Sequence, residues 1–328
     1  MVIEIGQFRR LMRGSGQEAW NGILEDVQRI FFAPINQEHF VGEIRNRDRY
    51  AGEIDYVLAT SGWDLWSDFG AAVPRTSQVL CDWWQQPFTG RAVLILDGLS
   101  LRETPWLLQG AEQHGFQVKQ AKITAAELPA ETNQFAAALG LGSRSQLQNN
   151  QAGLMHKLAP ATTESLEWPW LDCAGLIKAD PDWLFWHHWP DCKIHAADGP
   201  GQGLDDLAKD TKQQLGSEEF WQFIDRLATG RRLVITSDHG YAATGLFHDA
   251  AEGQTKYLKE TFQGGRYTAG GEPDGFVPPL SYIVDSPHGA TRYALGRRKW
   301  KIAGGYPTLV HGGLSLLEVL SPFVELSK

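Results

Sequence analysis

The stretch RLVITSDHGY, Arg232 to Tyr241, sets an apolar and β-branched run, Leu233 to Thr236, just ahead of an aspartate, a histidine and a glycine. Such a run reads as a strand buried on both faces, and Asp238 and His239 fall where it stops. Working outward, the same grammar recurs twice. RAVLIL (Arg91–Leu96) ends at Asp97 within LDGLSLRE, and WLFWHHW (Trp183–Trp189) leads to Asp191 and His195 within DCKIH. Between these two lie TPWLLQGAEQHG, a helix with Thr104 as cap, Pro105 in its first turn and Gly115 past its end, and the strand FQVKQAKI. A glycine-rich loop and a helix around SEEFWQFIDRLATG precede RLVITS. The alternation predicts an α/β fold, a mainly parallel sheet with helices on both faces.

Toward the start, Trp20, Ile23, Leu24, Val27, Ile30 and Phe31 recur at helical spacing, Ser15 and Glu18 form a capping-box pattern, and Pro34 follows. Residues 15–33 therefore read as an amphipathic helix. Residues 35–88 are Trp-rich and read as helices and loops. The expected organisation is a helical N-terminal extension over 1–88, of unassigned role, and a catalytic domain over 89–328. Toward the end, GEPDGFVPP (Gly271–Pro279) reads as a loop, SYIVDSPHGATRYALGRRKWKIAGG as hairpin-like strands, and HGGLSLLEVLSPFVEL as His311, a flexible Gly-Gly and a C-terminal helix.

Composition narrows the function. Of 328 residues, 42% are hydrophobic and 21% charged, as in folded globular chains. A formal charge of −9 argues against a broad duplex-binding face, because that binding is driven by phosphate neutralisation. No stretch approaches the roughly 18 apolar residues that cross a bilayer, so no membrane association is expected. MVIEIGQFRRLMRGSG lacks a signal-peptide apolar run, and Cys81, Cys173 and Cys192 form no CxxC pair; a cytoplasmic protein without a disulfide framework is expected. There is no GxxxxGKS/T loop, no HExxH and no GxSxG, and GPGQG near Gly199 lacks the strand and helix of a dinucleotide fingerprint and reads as a turn.

Ligands of open α/β sheets bind beyond the carboxyl ends of the strands. Three strand ends here carry an aspartate: Asp97, Asp191 and Asp238. Taken singly, Asp97-Gly98 reads as a turn, whereas Asp238-His239-Gly240 after an apolar strand has few structural reasons beyond a capping aspartate with a satisfied histidine. Taken together, three converging carboxylates require compensating positive charge, which two divalent ions supply. With His195, His239 and His311 they form a mixed oxygen and nitrogen set suited to zinc or manganese. His187 and His188 point to opposite faces of their strand and read as packing or hydrogen-bonding residues outside the ligand set.

In this order, LDGLSLRE, DCKIH, SDHGY and above all HGGLSLLEVLSPFVEL resemble the PglZ family within the alkaline phosphatase superfamily, over about residue 91 to the end. The resemblance implies an alkaline phosphatase-like fold with two metals, one held by Asp97, Thr132, Asp238 and His239, the other by Asp191, His195 and His311. His195 stands where many PglZ members carry aspartate and is similar instead to the nucleotide pyrophosphatase/phosphodiesterase branch, which implies a complete second metal site. Thr132 follows Pro129 at the start of a helical pattern, where spacing alone favours an ordinary cap. The resemblance makes it the nucleophile, although Ala130 replaces the family's usual first threonine and Glu131 is a departure.

The expected function is a metal-dependent phosphoesterase acting on a phosphodiester in a nucleotide or oligonucleotide. Thr132 attacks phosphorus, and water hydrolyses the phosphothreonine. Asn133 offers a neutral amide to the phosphate and Glu131 disfavours a dianion, so diesters are expected over monoesters. Arg102 and Arg292 are left open as arginines that could reach the site. The resemblance also implies partner proteins of a phage-defence or signalling system. The alternative is a catalytically silent metal- or nucleotide-binding module; a phosphomutase has less support, because no sugar-phosphate clamp is evident.

Overall fold

A computed structural model of the chain describes residues 14–196, 203–286, 289–302 and 305–328. The turn read at 199–203 lies outside the described residues except for Gly203, and so do residues 287–288 and 303–304 of the stretch read as hairpin-like strands.

The apolar runs form the strands that their pattern predicts. These are β1 (Arg91–Leu96), β2 (Gln117–Ala125), β3 (Thr162–Leu166), β4 (Asp182–His187), β5 (Arg232–Thr236) and β6 (Leu320–Ser327). They assemble in the order β2-β6-β5-β1-β4-β3. β1 runs parallel to β4 and β5, β4 parallel to β3, and β6 alone runs antiparallel to its neighbours β2 and β5. Successive residues of β1 face opposite sides. Ala92, Leu94 and Leu96 pack with Phe220, Phe223 and Leu227 of the helix Glu218–Ala228, while Val93 and Ile95 pack with Leu80 and Trp83 of Thr76–Trp84 and Phe135 of Thr132–Ala138. Helices thus cover both faces.

Two local readings change. HGGLSLLEVLSPFVEL yields only a single helical turn, Leu316–Val319, before β6. The tail is buried on both faces, and an apolar run of that kind has no periodicity to separate strand from helix. The helix after β1 runs Thr104–Gln113, but Thr104 is its first residue and not its cap; a tight turn, Leu101–Glu103, feeds it. Ser100 caps that turn, its backbone N–H donating to Glu103 Oε2 (2.7 Å). The helix Gly16–Phe31 keeps the expected Ser15–Glu18 capping box, and Ser281–Ser286 and Gly289–Ala294 pair antiparallel as expected, with Tyr267–Ala269 as a third strand. Among the described residues no helix is long and apolar enough to cross a membrane.

The helix Phe40–Thr60 brings two fully buried aspartates against Arg102 and Arg297. Arg102 Nε donates to Asp48 Oδ2 (2.7 Å) and Arg297 Nε to Asp55 Oδ2 (2.6 Å), while Arg297 Nη1 reaches Asp48 as well. Asp55 Oδ1 accepts from the Leu316 backbone N–H (2.8 Å), which fixes the turn ahead of β6. A buried pair of this kind is expensive to break, because the surviving charges stay desolvated. Asp48→Ala is expected to lower unfolding free energy by about 3–5 kcal/mol in urea titrations, because buried Arg102 loses its carboxylate and Arg297 keeps only Asp55.

Candidate metal centre

β5, β1 and β4 are adjacent, and neighbouring strands lie about 4.8 Å apart, so the residues that follow them share one small volume. The turns interlock: Asp97 N–H donates to His187 O (3.0 Å), Asp191 N–H to Asp97 O (2.9 Å), and Gly98 N–H to Asp238 Oδ1 (3.0 Å). Two glycines permit this approach. Gly98 holds φ at +73°, and a Cβ there would lie 3.3 Å from that of Asp191. A Cβ on Gly240 would stand 2.3 Å from Leu317 O, so the residue after Asp238-His239 must lack a side chain.

Asp97, Asp238 and His239 are fully buried and Asp191 nearly so. Ligand atoms of Asp191, His195 and His311 lie within 4.8 Å of one another, and so do those of Asp97, Asp191 and His239. Asp191 belongs to both groups. Asp238 Oδ2 lies 3.5 Å from His239 Nε2. The Thr132 hydroxyl, first residue of its helix, donates to Asp97 Oδ1 (3.2 Å) and lies 3.4 Å from His239 Nε2. Asn133, the next residue, is exposed. The seven residues read from the sequence as metal ligands, Asp97, Thr132, Asp191, His195, Asp238, His239 and His311, therefore meet at one edge of the sheet.

The imidazoles are oriented from behind. His239 Nδ1 faces Gly240 O (3.0 Å) and His311 Nδ1 faces Ala130 O (3.1 Å). A carbonyl can only accept, so each Nδ1 carries the proton and each Nε2 turns inward, as in histidines that ligate metals. The two rings stack with centroids 4.2 Å apart. Glu131 Oε1 lies 3.2 Å from His311 Nδ1, so Glu131 supports this histidine. Burial opposes charge on His311, but Glu131 and Asp191 outweigh it and its pKa is pushed up to about 9. The His195 side chain is exposed, and its pKa is raised by its hydrogen bond to Asp191. Burial opposes ionisation of Asp191, yet His195, His239 and His311 hold its carboxyl below the usual range.

These residues fit a pair of cations. Asp238 Oδ2 and Asp191 Oδ1 are buried oxygens without a hydrogen-bond partner among the described residues, which is costly for carboxylates unless a cation meets them. Both lie beside inward-facing Nε2 atoms, a donor set suited to zinc or manganese.

Other residues were not legible in the sequence. Arg144 Nη1 contacts Asp97 Oδ2, and Trp186 Nε1 donates to the same oxygen (3.0 Å). Arg144 sits in an irregular turn segment with no periodic signal, and Trp186 reads simply as strand core. The two arginines left open do not reach the site: Arg102 is bound to Asp48 and to Tyr241 O (2.8 Å), and Arg292 to Tyr257 Oη (2.8 Å). His187 Nε2 donates to Trp168 O (2.9 Å) and His188 Nε2 bonds Ser165 Oγ (3.0 Å); burial pushes both pKa values down to about 4. Because Asp191 serves both clusters, Asp191→Ala is expected to lose zinc from both positions and Asp238→Ala from one. Elemental analysis of reconstituted protein checks this, and an unchanged zinc content in either variant removes that aspartate from the ligand set.

No protein-family model matches the chain, and no curated protein does. Among solved structures it is similar to murine ectonucleotide pyrophosphatase/phosphodiesterase 5, with 14% identity over 73% of this chain and 88% of that one and a TM-score of 0.40. An inactive variant of the murine protein in complex with AMP matches at 14% identity, 73% and 88% coverage and a TM-score of 0.38. The human protein matches at 12% identity, 72% and 87% coverage and a TM-score of 0.39. A likeness this distant says nothing about chemistry.

Proposed function

We propose that the chain is a two-metal phosphoesterase in which Thr132 is the nucleophile. The observation that carries this reading is the pair of buried, unpartnered carboxylate oxygens, on Asp191 and Asp238, beside inward-facing imidazoles and around one hydroxyl. Asp97, Thr132, Asp238 and His239 would hold one ion and Asp191, His195 and His311 the other, as the resemblance to PglZ proteins implies, with the Asp191 carboxylate shared because it also lies within reach of Asp97 and His239. When bound, such ions act as Lewis acids toward phosphoryl oxygens.

The chain's own residues set up the attack. Asp97 Oδ1 is the acceptor for the Thr132 hydroxyl proton. The Thr132 oxygen forms a bond to phosphorus as the ester oxygen departs, and the departing oxygen takes up a proton. Water then attacks phosphorus, the bond to Thr132 breaks, and the hydroxyl is restored. Asn133, exposed beside Thr132, can donate its neutral amide to a non-bridging oxygen. Glu131 and Ala130 O orient His311, and Gly240 O orients His239. The substrate read from the sequence is a phosphodiester within a nucleotide or oligonucleotide. A cytoplasmic role in defence or signalling rests on the PglZ resemblance alone, and a silent metal- or nucleotide-binding module is the alternative.

Arg144 favours a second reading. A monoester dianion gains more from a nearby guanidinium than a diester monoanion does, and Arg144 is a partly exposed one on Asp97. The Glu131 carboxylate is meanwhile engaged by His311, which weakens its repulsion of a dianion.

Thr132→Ala is expected to lower kcat by about three orders of magnitude or more while most zinc binding survives on the other ligands, because a nucleophile acts chiefly in the chemical step. Near wild-type turnover would refute covalent catalysis, and a wild type inactive on every phosphate ester with zinc or manganese would leave the binding-module reading. Matched nitrophenyl esters are expected to show higher kcat/KM for the diester. A monoester advantage of about tenfold or more, erased in Arg144→Ala, establishes the second reading instead.

A further inference from the structure

A cavity of about 500 Å³ lies apart from the metal centre, between the helix Phe40–Thr60 and the segment after β5. Its size falls within the roughly 300–1,000 Å³ of small-molecule sites. One face of the helix lines it: Arg45, Arg49, Gly52 and Tyr56 recur at helical spacing. Leu246 and His248 form the opposite wall, and Arg297 contributes to the lining.

Three arginines line this cavity, in a chain with a formal charge of −9. Arg45 and Arg49 are like charges one helical turn apart, an arrangement that destabilises a helix unless something answers it. Asp205 answers Arg45, at 2.9 and 2.6 Å. Arg49 is exposed, and its Nη1 donates to Asn46 Oδ1 (3.1 Å), a neutral partner. Arg297 uses Nε and Nη1 on Asp55 and Asp48, and its buried Nη2 has no acceptor among the described residues. Glu53 is the carboxylate on the lining.

The remaining wall is apolar and aromatic. Tyr56 is 59% exposed and Leu246 37%, both high for large apolar side chains, and the Tyr56 and His248 rings meet edge to face at 6.4 Å. Gly52 keeps the floor open: a glycine within a helix costs about 1 kcal/mol relative to alanine, and here it faces the Arg297 side chain at 3.4 Å from where its Cβ would be. An aromatic ring system on Tyr56, Leu246 and His248 with an anion at Arg49 would satisfy both halves.

We propose that this cavity binds a phosphorylated aromatic ligand of nucleoside monophosphate size, with the phosphate on Arg49 and the ring on Tyr56. The site shares no residue with the metal centre and stands whether or not the chain is a phosphoesterase.

Calorimetric titration of AMP into chelator-treated full-length protein tests it, with Asp191→Ala as a background in which the metal centre is disabled. Saturable binding of one AMP is expected in both proteins, weakened about tenfold or more in Arg49→Ala and in Tyr56→Ala. Gly52→Leu, which fills the floor without changing charge, should weaken it similarly, with thermal unfolding confirming that the variant folds. Binding weaker than about 1 mM overturns the proposal. So does binding that Asp191→Ala abolishes or that Arg49→Ala leaves intact, and inorganic phosphate binding as tightly as AMP overturns the role of the ring.

Discussion

Everything at the functional edge of this protein follows from the crowding of carboxylates at the ends of three adjacent parallel strands. Asp97, Asp191 and Asp238 are removed from water together, and a buried carboxylate is tolerable only when hydrogen-bonded, ion-paired or bound to a cation. The protein supplies part of the answer itself. Trp186 and Arg144 meet Asp97, the Gly98 N–H meets Asp238, and three imidazoles line the remaining side. Two oxygens stay unanswered by the described residues, and that residual demand gives the site its character.

A second set of buried charges holds the frame in which the first can exist. Asp48 and Asp55 neutralise Arg102 and Arg297, while Glu318 accepts from Arg266 Nε (2.7 Å), Gly313 N–H (2.8 Å) and Ser315 Oγ (2.6 Å). A Cβ on Gly313 would come within 2.6 Å of Arg266 Nε, so the second glycine after His311 is a packing requirement and not a hinge. The C-terminal motif is thereby fastened at Asp55, at Glu318 and in the sheet. Its turn passes close enough to Gly240 that the Gly240 N–H donates to Glu318 O (3.0 Å). His311 and His239 stack because their two backbones are locked together a few residues away.

The cavity beside Tyr56 uses the same helix for a different purpose. The inner face of Phe40–Thr60 carries the aspartates that neutralise the frame, and an adjoining face carries guanidinium groups toward solvent. Arg297 joins the two, paired on one side and lining the cavity on the other.

By itself the sequence determined what neighbours along the chain can encode. The runs at 91–96 and 232–236 and the aspartates after them are legible because a buried parallel strand is uniformly apolar and the polar residues at its carboxyl end follow it directly. The Ser15–Glu18 cap is legible for the same reason of short range. The mainly parallel sheet and the meeting of Asp97, Asp191 and Asp238 follow from those signals once adjacent strands are assumed. The tertiary structure alone decided the rest. Whether the last apolar run is helix or strand depended on the gap between β2 and β5 that β6 fills, because a segment buried all round has no periodicity of its own. Which arginine reaches Asp97 was likewise invisible: Arg102, close in sequence, is bound to Asp48, and Arg144, 47 residues away, is the one that arrives. Asp48 and Arg297 stand 249 positions apart, and their pairing is a property of packed surfaces to which local sequence carries no address.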